Sequence, residues 1–167
     1  MTKALIVIDV QNGFITKSSS HIVARIKELL ESKKFNTVAF TQFVNVPNSP
    51  FRKIKNWNKV GTPPETNIVN MLKPFVKTVF KKRLYSSFTA EFEQFLKEKR
   101  INQLYLVGID TECCVLKTAV DAFEKGYEPF LLAYYCASHE SGTFHHMGLK
   151  MFGRLISPKH IITGPIK

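Results

Sequence analysis

The sequence predicts an α/β domain in which a mainly parallel sheet is covered by helices on both faces, a three-layer α/β/α arrangement. Apolar β-like segments alternate with segments of helical periodicity along the whole chain. The first apolar segment, ALIVID (4–9), is a continuous run that is typical of a strand buried in a parallel sheet. With 167 residues, of which 44% are hydrophobic, the chain is long enough for one substantial core, so we expect a single domain, 1–167.

The elements follow one another in a regular order. Predicted strands cover 4–9, 36–43, 77–82, 103–109, 128–135 and 159–163, and predicted helices cover 21–32, 89–100, 111–126 and 141–156. Residues 44–75 hold five of the eight prolines and are predicted to form a long irregular segment, with one or two helical turns at 66–72. Loops of that length in a compact domain are usually functional or disordered.

The charge and motif content of the sequence indicate which kinds of binding partner to expect. Lysine and arginine total 24 against 13 acidic residues, a formal net charge of +11, but the basic residues are spread over several runs. Because zinc-finger spacing and RNA-binding aromatic motifs are absent from the sequence, we interpret the charge as a solvated basic surface and expect no nucleic-acid partner. We also expect no membrane partner, since no apolar run approaches the length of a membrane span.

The setting predicted from the sequence is the cytoplasm. The opening residues, MTKALIVIDV, have a short apolar run followed by Asp9 and Gln11, which does not resemble a secretory signal peptide. Three cysteines do not suggest a disulfide framework, which favours a reducing compartment.

Three chemically interesting features lie at or just beyond the ends of predicted strands. They are Asp9, the pair Lys81 and Lys82, and the doublet Cys113 and Cys114. Ligands of open parallel sheets bind at the carboxyl ends of the strands, near a topological switch point. The sequence therefore predicts a site at this edge.

The cysteine doublet is predicted to lie in the first turn of a helix that Thr111 caps. A thiol at that place is near unpaired N–H groups and the positive end of the helix dipole, so we expect its pKa to be lowered. At α-helical spacing Cys113 shares an apolar face, which suggests packing, whereas Cys114 lines up with Thr118 and Asp121 at a polar border. This spacing favours Cys114 as a nucleophile.

A cysteine nucleophile needs a base and a group that holds the base in place. No histidine is an obvious partner in the sequence, but Asp9 could accept the thiol proton if Lys82 held it. Other interpretations stay open from the residues alone: Asp9 as the cap of a turn, Lys82 as a solvated lysine and Cys114 as buried packing.

Three blocks of sequence, IVIDVQNGF, KRLYSSF and GIDTECCVLKTAVDAFEKGY, resemble the isochorismatase-like cysteine hydrolase superfamily, which includes nicotinamidases and N-carbamoylsarcosine amidohydrolases. They occur in the family's order, and the resemblance runs along nearly the whole chain. It implies a Rossmann-like fold with about six parallel strands and a catalytic triad of Asp9, Lys82 and Cys114. It also implies a homo-oligomer, either a dimer or a tetramer.

The resemblance also implies two features of the backbone. It implies a cis peptide bond between Ile109 and Asp110, with the N–H groups of Asp110 and Cys114 forming an oxyanion hole. Candidate residues for the substrate pocket are Gln11, Phe14, Phe43, Asn45, Trp57 and Phe88.

The chain departs from the family's pattern at two places. Nicotinamidases carry a D-x-H metal motif after the second strand, where this chain has Phe43 and Asn45. We therefore expect no catalytic metal and no cofactor, and the departure argues against nicotinamidase activity. Many members carry an acidic residue at the end of the fifth strand, where this chain has Tyr135, which we expect to alter the pocket floor or a helix cap.

The function predicted from the sequence is hydrolysis of a small amide, ureido or related C–N bond in a small-molecule substrate, through a thioester on Cys114. Isochorismatases proper, which cleave a vinyl ether, generally lack the cysteine. Two alternatives remain: a non-catalytic binding or scaffold protein that retains the fold, and a hydrolase of an isochorismate-like vinyl ether.

Overall fold

The computed structural model describes residues 1–166 and contains one six-stranded sheet in which every neighbouring pair of strands is parallel. The strands are β1 (Lys3–Ile8), β2 (Thr37–Phe43), β3 (Val79–Lys82), β4 (Gln103–Ile109), β5 (Glu128–Ala137) and β6 (Ile161–Ile162). Their order across the sheet is β3-β2-β1-β4-β5-β6. The predicted six-stranded parallel sheet is confirmed.

Within residues 1–166, five α-helices connect or cover the strands. They are α1 (His21–Glu31), α2 (Pro50–Lys53), α3 (Ala90–Glu98), α4 (Leu116–Glu124) and α5 (Gly142–Leu155). Among the described residues, no helix is long and apolar enough to cross a membrane.

The sheet separates two apolar cores, as a three-layer arrangement requires. Because successive side chains of a strand point to opposite faces, Leu5 and Val7 of β1 pack in one core, and Ile6 and Ile8 pack in the other. The first core is covered by α1 and the long segment after β2, and the second by α3, α4 and α5. The predicted three-layer α/β/α fold is therefore confirmed.

The structure differs from the sequence prediction mainly at element ends and in the long segment 44–75. That segment contains α2, whose first residue follows Ser49, a cap that accepts a hydrogen bond from the Arg52 N–H. The turns predicted at 66–72 occur instead as a 3₁₀ helix at Asn70–Phe75, in which Pro74 lacks the N–H that an α-helix would use. The last strand is shortened because residues Pro158–His160 form a 3₁₀ turn.

The topological switch point lies between β1 and β4, because the chain continues from β1 to β2 on one side and returns to β4 on the other. The two strands approach closely at their carboxyl ends. Gly108 has a φ of +122°, and a Cβ added there would lie 2.1 Å from the Ile8 carbonyl oxygen. Only glycine fits this position, which brings Asp9 and the segment after β4 together.

Candidate active site

Asp9 follows β1 and is held by both of its carboxylate oxygens. Its side chain is fully buried, and the backbone has a left-handed φ of 51°. The Thr41 hydroxyl donates a 2.7 Å hydrogen bond to Oδ1, and Nζ of Lys82 lies 2.6 Å from Oδ2. A buried carboxylate is costly unless it is paired and hydrogen-bonded. The ion pair with Lys82 and the Thr41 hydrogen bond therefore stabilise the charge of Asp9.

Lys82 ends β3 and is buried, whereas its neighbour Lys81 is exposed. Nζ also donates to the carbonyl oxygens of Leu84 and Tyr85, each at 2.9 Å. Burial alone would lower the pKa of Lys82, but Asp9 and the Cys114 side chain together raise it above its usual value. Lys82 is thus a fixed ammonium group at the end of β3.

Cys114 lies beside this ion pair, close enough for the charges of both Asp9 and Lys82 to act on its thiol. It belongs to a five-residue π-helical turn, Thr111–Val115, which precedes α4. The structure therefore brings the three proposed triad residues together from β1, β3 and the segment after β4.

The expected lowering of the Cys114 pKa is wrong. Burial raises the pKa of this thiol well above its ordinary value, the charge of Lys82 opposes the rise, and the charge of Asp9 adds to it. Because the residue is only 6% exposed, loss of hydration outweighs the positive field at the helix start. The resting group is a protonated thiol.

We expected Cys113 to be a packing residue on an apolar face, but its environment is different. It is half-buried and lines a cavity, and its pKa is raised to about 11, first by burial and then by the charge of Glu112. The α-helical spacing that placed Cys113 on an apolar face does not apply, because this turn is π-helical.

Thr111 does not cap the helix. The N-cap position belongs to Asp110, which makes no side-chain capping bond, and the Thr111 hydroxyl instead forms a 2.7 Å hydrogen bond with Nδ1 of His145 on α5. The Asp110 carbonyl oxygen accepts the N–H groups of Cys113 and Val115. The Ile109–Asp110 peptide bond is cis, as the resemblance implies.

The packing of α5 fixes the position of the π-helical turn. A Cβ added at Gly148 would lie 2.7 Å from the Glu112 nitrogen and 2.8 Å from the carbonyl carbon of Thr111. Glycine therefore allows α5 to touch the backbone of the turn that carries Cys114.

A small cavity of about 70 Å³ opens onto Cys114. Its wall is mainly aromatic. It is lined by Phe14, Phe43, Phe51, Lys55, Trp57, Tyr85, Asp110, Cys113, Cys114, His139 and Glu140. Phe14 and Trp57 are stacked with ring centroids 5.9 Å apart, and Phe51 meets Tyr85 edge to face at 4.9 Å.

Three of the six candidate pocket residues, Phe14, Phe43 and Trp57, line this cavity, and the other three lie elsewhere. Gln11 is buried, and its amide binds the backbone of Phe43 and Thr66.

Asn45 and Phe88 also have structural positions. The Asn45 amide donates to the carbonyl oxygens of Trp57 and Lys59 and so ties the long segment together. Phe88 packs edge to face on Phe92 in the second core. Neither residue lines the cavity beside Cys114, although Phe88 lines two neighbouring pockets.

Sequence reasoning missed His139, which lies just after β5 and lines the cavity. Its Nδ1 is 2.7 Å from Oδ2 of Asp110, and its backbone N–H donates a 2.7 Å bond to Oδ1. The hydrogen bond that the ring donates to Asp110 raises the pKa of His139, although burial opposes the rise. Its position beyond a predicted strand, at the edge that holds Asp9, was the signal that could have found it.

Tyr135 does not form the pocket floor. Its side chain is buried, and its hydroxyl accepts a 3.1 Å hydrogen bond from the Ile166 N–H. It therefore holds the C-terminal segment against β5.

Asp110, Glu112 and Cys113 place potential metal-ligand atoms within 4.8 Å of one another. Several of these groups already have hydrogen-bond partners. Both Asp110 oxygens bind His139, and Glu112 accepts a 2.7 Å bond from Ser138.

Comparison with known proteins places this geometry in a family. The sequence model of the family described as "Isochorismatase domain" matches residues 3–157 of this chain. The chain belongs to the isochorismatase family. Isochorismatase family protein 2A of Dictyostelium discoideum is 28% identical over 136 residues, which are 76% of this chain and 62% of that protein. The chain thus spans about three fifths of the length of this curated relative.

Two solved structures show the same fold. An isochorismatase-like hydrolase from Alkaliphilus metalliredigens has a TM-score of 0.85 and 21% identity, and the match covers 98% of this chain and 95% of that chain. A pyrazinamidase/nicotinamidase from Streptococcus mutans has a TM-score of 0.82 and 25% identity, and the match covers 96% of this chain and all of that chain (100%).

Proposed function

We propose that this protein is a cysteine hydrolase of a small amide, ureido or related C–N bond, and that Asp9, Lys82 and Cys114 carry the reaction. The observation that supports the proposal is the position of the Cys114 thiol, which faces an aromatic cavity on one side and a buried aspartate–lysine pair on the other. A weak nucleophile is activated when a positioned base lies within hydrogen-bonding reach.

Acylation begins from a neutral thiol. As the sulfur attacks the substrate carbonyl carbon, its proton passes to Asp9, and the negative charge moves to the carbonyl oxygen, for which the N–H groups of Asp110 and Cys114 are the proposed donors. Lys82 stays charged and keeps the carboxyl group of Asp9 in place. Asp9 then gives the proton to the leaving nitrogen, the C–N bond breaks, and a thioester remains on Cys114.

The cavity supports a small and flat substrate. A volume of about 70 Å³ excludes large ligands, and the stacked rings of Phe14 and Trp57 provide a face for a planar group. Lys55, His139 and Glu140 supply the polar part of the wall. The likeness to a pyrazinamidase/nicotinamidase agrees with a carboxamide on a small ring as the first class to test.

The test is ammonia release from nicotinamide, pyrazinamide, acetamide and N-carbamoylglycine. We expect turnover of at least one, loss of that turnover in Cys114→Ala, and a trapped adduct on Cys114 by mass spectrometry. Cys113→Ala tests which cysteine carries the adduct. Cys113 also lines the cavity, so its loss is expected to change substrate binding, but the adduct on Cys114 should still form. If none of the four compounds gives turnover or an adduct on Cys114, the result would favour a binding protein that retains the fold.

A further inference from the structure

The turn that carries Cys114 differs from an α-helix in the partner of one N–H group. In an α-helix each N–H bonds to the carbonyl oxygen four residues earlier, which for Cys114 is that of Asp110. Among the described residues, the Asp110 carbonyl oxygen accepts from Cys113 at 3.1 Å and from Val115 at 3.0 Å, and it accepts no bond from Cys114 between them. The π-helical turn thus removes the α-helical acceptor of the Cys114 N–H.

This N–H group is one of the two proposed donors to the carbonyl oxygen of the substrate. If the turn relaxed to α-helical geometry, the Asp110 carbonyl oxygen would take the Cys114 N–H, and the oxyanion would lose a donor. Such a change is easy to reach, because π-helical turns are rare and helix α4 begins directly after this one, at Leu116. A contact that holds the turn in its π-helical form would therefore support the reaction.

Helix α5 supplies such a contact at the first residue of the turn. The Thr111 hydroxyl forms a 2.7 Å hydrogen bond with Nδ1 of His145, and within residues 1–166 it has no other partner. Thr111 is only 1% exposed, so water cannot readily replace the ring. Because the hydroxyl is attached to Cβ and a β-branched side chain has few χ1 rotamers, the bond fixes the backbone of Thr111 closely.

The next residue of the turn is held less firmly. Oε1 of Glu112 accepts a 2.7 Å hydrogen bond from the Ser138 hydroxyl, just after β5. The Glu112 side chain is longer and has more rotatable bonds than that of Thr111, so the same kind of bond restrains its backbone less. The contact between Thr111 and His145 is thus the more direct restraint.

We propose that the hydrogen bond between Thr111 and His145 holds the turn in its π-helical form and so keeps the Cys114 N–H available to the oxyanion. Thr111 and His145 are then positioning residues, since neither lines the cavity beside Cys114. The inference rests on the proposed function, in which the attacked carbonyl oxygen becomes negative. It predicts a loss that is confined to reactions that form an oxyanion.

Two reagents separate oxyanion binding from the reactivity of the thiol. With p-nitrophenyl acetate, the Cys114 sulfur bonds to the ester carbonyl carbon through an oxyanion intermediate, and p-nitrophenolate leaves. With iodoacetamide, the sulfur displaces iodide from a CH₂ group, and no oxyanion forms. Both reactions release the thiol proton, so a change in the base or in the thiol pKa would alter both rates.

The experiment measures both rates by mass spectrometry in a Cys113→Ala parent, so that the label reports on Cys114. Thr111→Val replaces the hydroxyl by a methyl group, and its acetylation should slow by about 100-fold, the lower end of the loss of one oxyanion donor. Its alkylation should keep the parent rate. His145→Phe removes the other partner and should show the same split. The double variant should lose no more than either single variant, since all three lack the same bond.

Thr111→Ser keeps the hydroxyl and should acetylate at close to the parent rate. His146→Gln is the control on the same helix, because His146 is exposed and, within residues 1–166, its ring bonds only the Gly142 carbonyl oxygen. Urea denaturation checks that each variant is folded.

Acetylation at the parent rate in Thr111→Val and His145→Phe, or an equal loss of acetylation and alkylation, would overturn the inference and leave the proposed function intact. Failure of the wild type to acquire an acetyl group on Cys114 would instead overturn the proposed function and the inference with it.

Discussion

Nζ of Lys82 lies 2.6 Å from Oδ2 of Asp9, and both side chains are essentially excluded from solvent. Removal of one partner leaves the other as a buried, unpaired charge. Lys82→Met should therefore lower the free energy of unfolding by about 3–5 kcal/mol, measured by urea denaturation. Replacement of both partners removes both charges, so Asp9→Asn combined with Lys82→Met should be more stable than Lys82→Met alone.

Lys81→Met is the control for this prediction, since Lys81 is the exposed neighbour of Lys82 and should change stability by less than about 0.5 kcal/mol. A double variant that is less stable than either single variant would show that the two charges do not compensate one another.

The raised pKa of Cys114 predicts slow alkylation. In a Cys113→Ala background, iodoacetamide should modify Cys114 more slowly near pH 7 than it modifies free cysteine, because little thiolate is present. Since the charge of Asp9 raises this pKa, Asp9→Asn should lower it and speed alkylation at pH 7. Mass spectrometry after timed quenching measures both rates.

Cys136 provides an internal reference for the alkylation experiment. It is buried, and burial raises its pKa to about 12, so it should stay unmodified while the protein is folded. Rapid labelling of Cys114 in the Cys113→Ala protein would contradict a protonated thiol in the resting protein. It would favour an ion pair between a Cys114 thiolate and the Lys82 ammonium group.

Much of the fold and part of the site were accessible from the sequence, because they depend on local pattern. The apolar run before Asp9 and the end of the strand at Lys82 place both residues on one edge without knowledge of packing. The partner of Asp110 depends instead on how β5 meets β4, and that long-range contact has no periodic signature, so the role of His139 was missed.

The properties of the cysteine doublet were predicted less well, for two physical reasons. The first turn is π-helical, which invalidates face assignments made at α-helical spacing. The pKa of Cys114 depends on burial, which a sequence position at a helix start does not reveal. Asn45 was a pocket candidate because its side chain could bind a polar substrate group, and Gln11 because it belongs to the block around Asp9. Both amides instead bind the backbone of the long segment.

Gly148 should be required for the position of the turn that carries Cys114. A methyl group in Gly148→Ala would meet the backbone of Thr111 and Glu112 at less than 3 Å, so α5 or the turn must move. Overpacking of this kind costs about 1–3 kcal/mol, and displacement of Cys114 should also reduce turnover. Urea denaturation and the ammonia assay measure the two effects.

Gly153→Ala on the same helix is the matched control. The nearest atom to its added Cβ is 3.6 Å away, an ordinary contact, and alanine favours a helix over glycine by about 0.5–1 kcal/mol. This variant should be as stable as the wild type or more so. Equal destabilisation by both alanines would mean that helix α5 itself, and not its contact with the turn, is sensitive.

The bond between His139 and Asp110 should also make stability depend on pH. Asp110 raises the folded-state pKa of His139 above the unfolded value of about 6.5. The protonated ring is therefore favoured in the folded protein, and its stabilising contribution is fully present below pH 6.5 and is lost as pH rises through the folded-state pKa. His139→Gln should accordingly reduce the free energy of unfolding more at pH 5.5 than at pH 8.5, as measured by urea denaturation at the two values. A loss of stability that is the same at both pH values would mean that His139 contributes through packing on Phe14 and not through its charge.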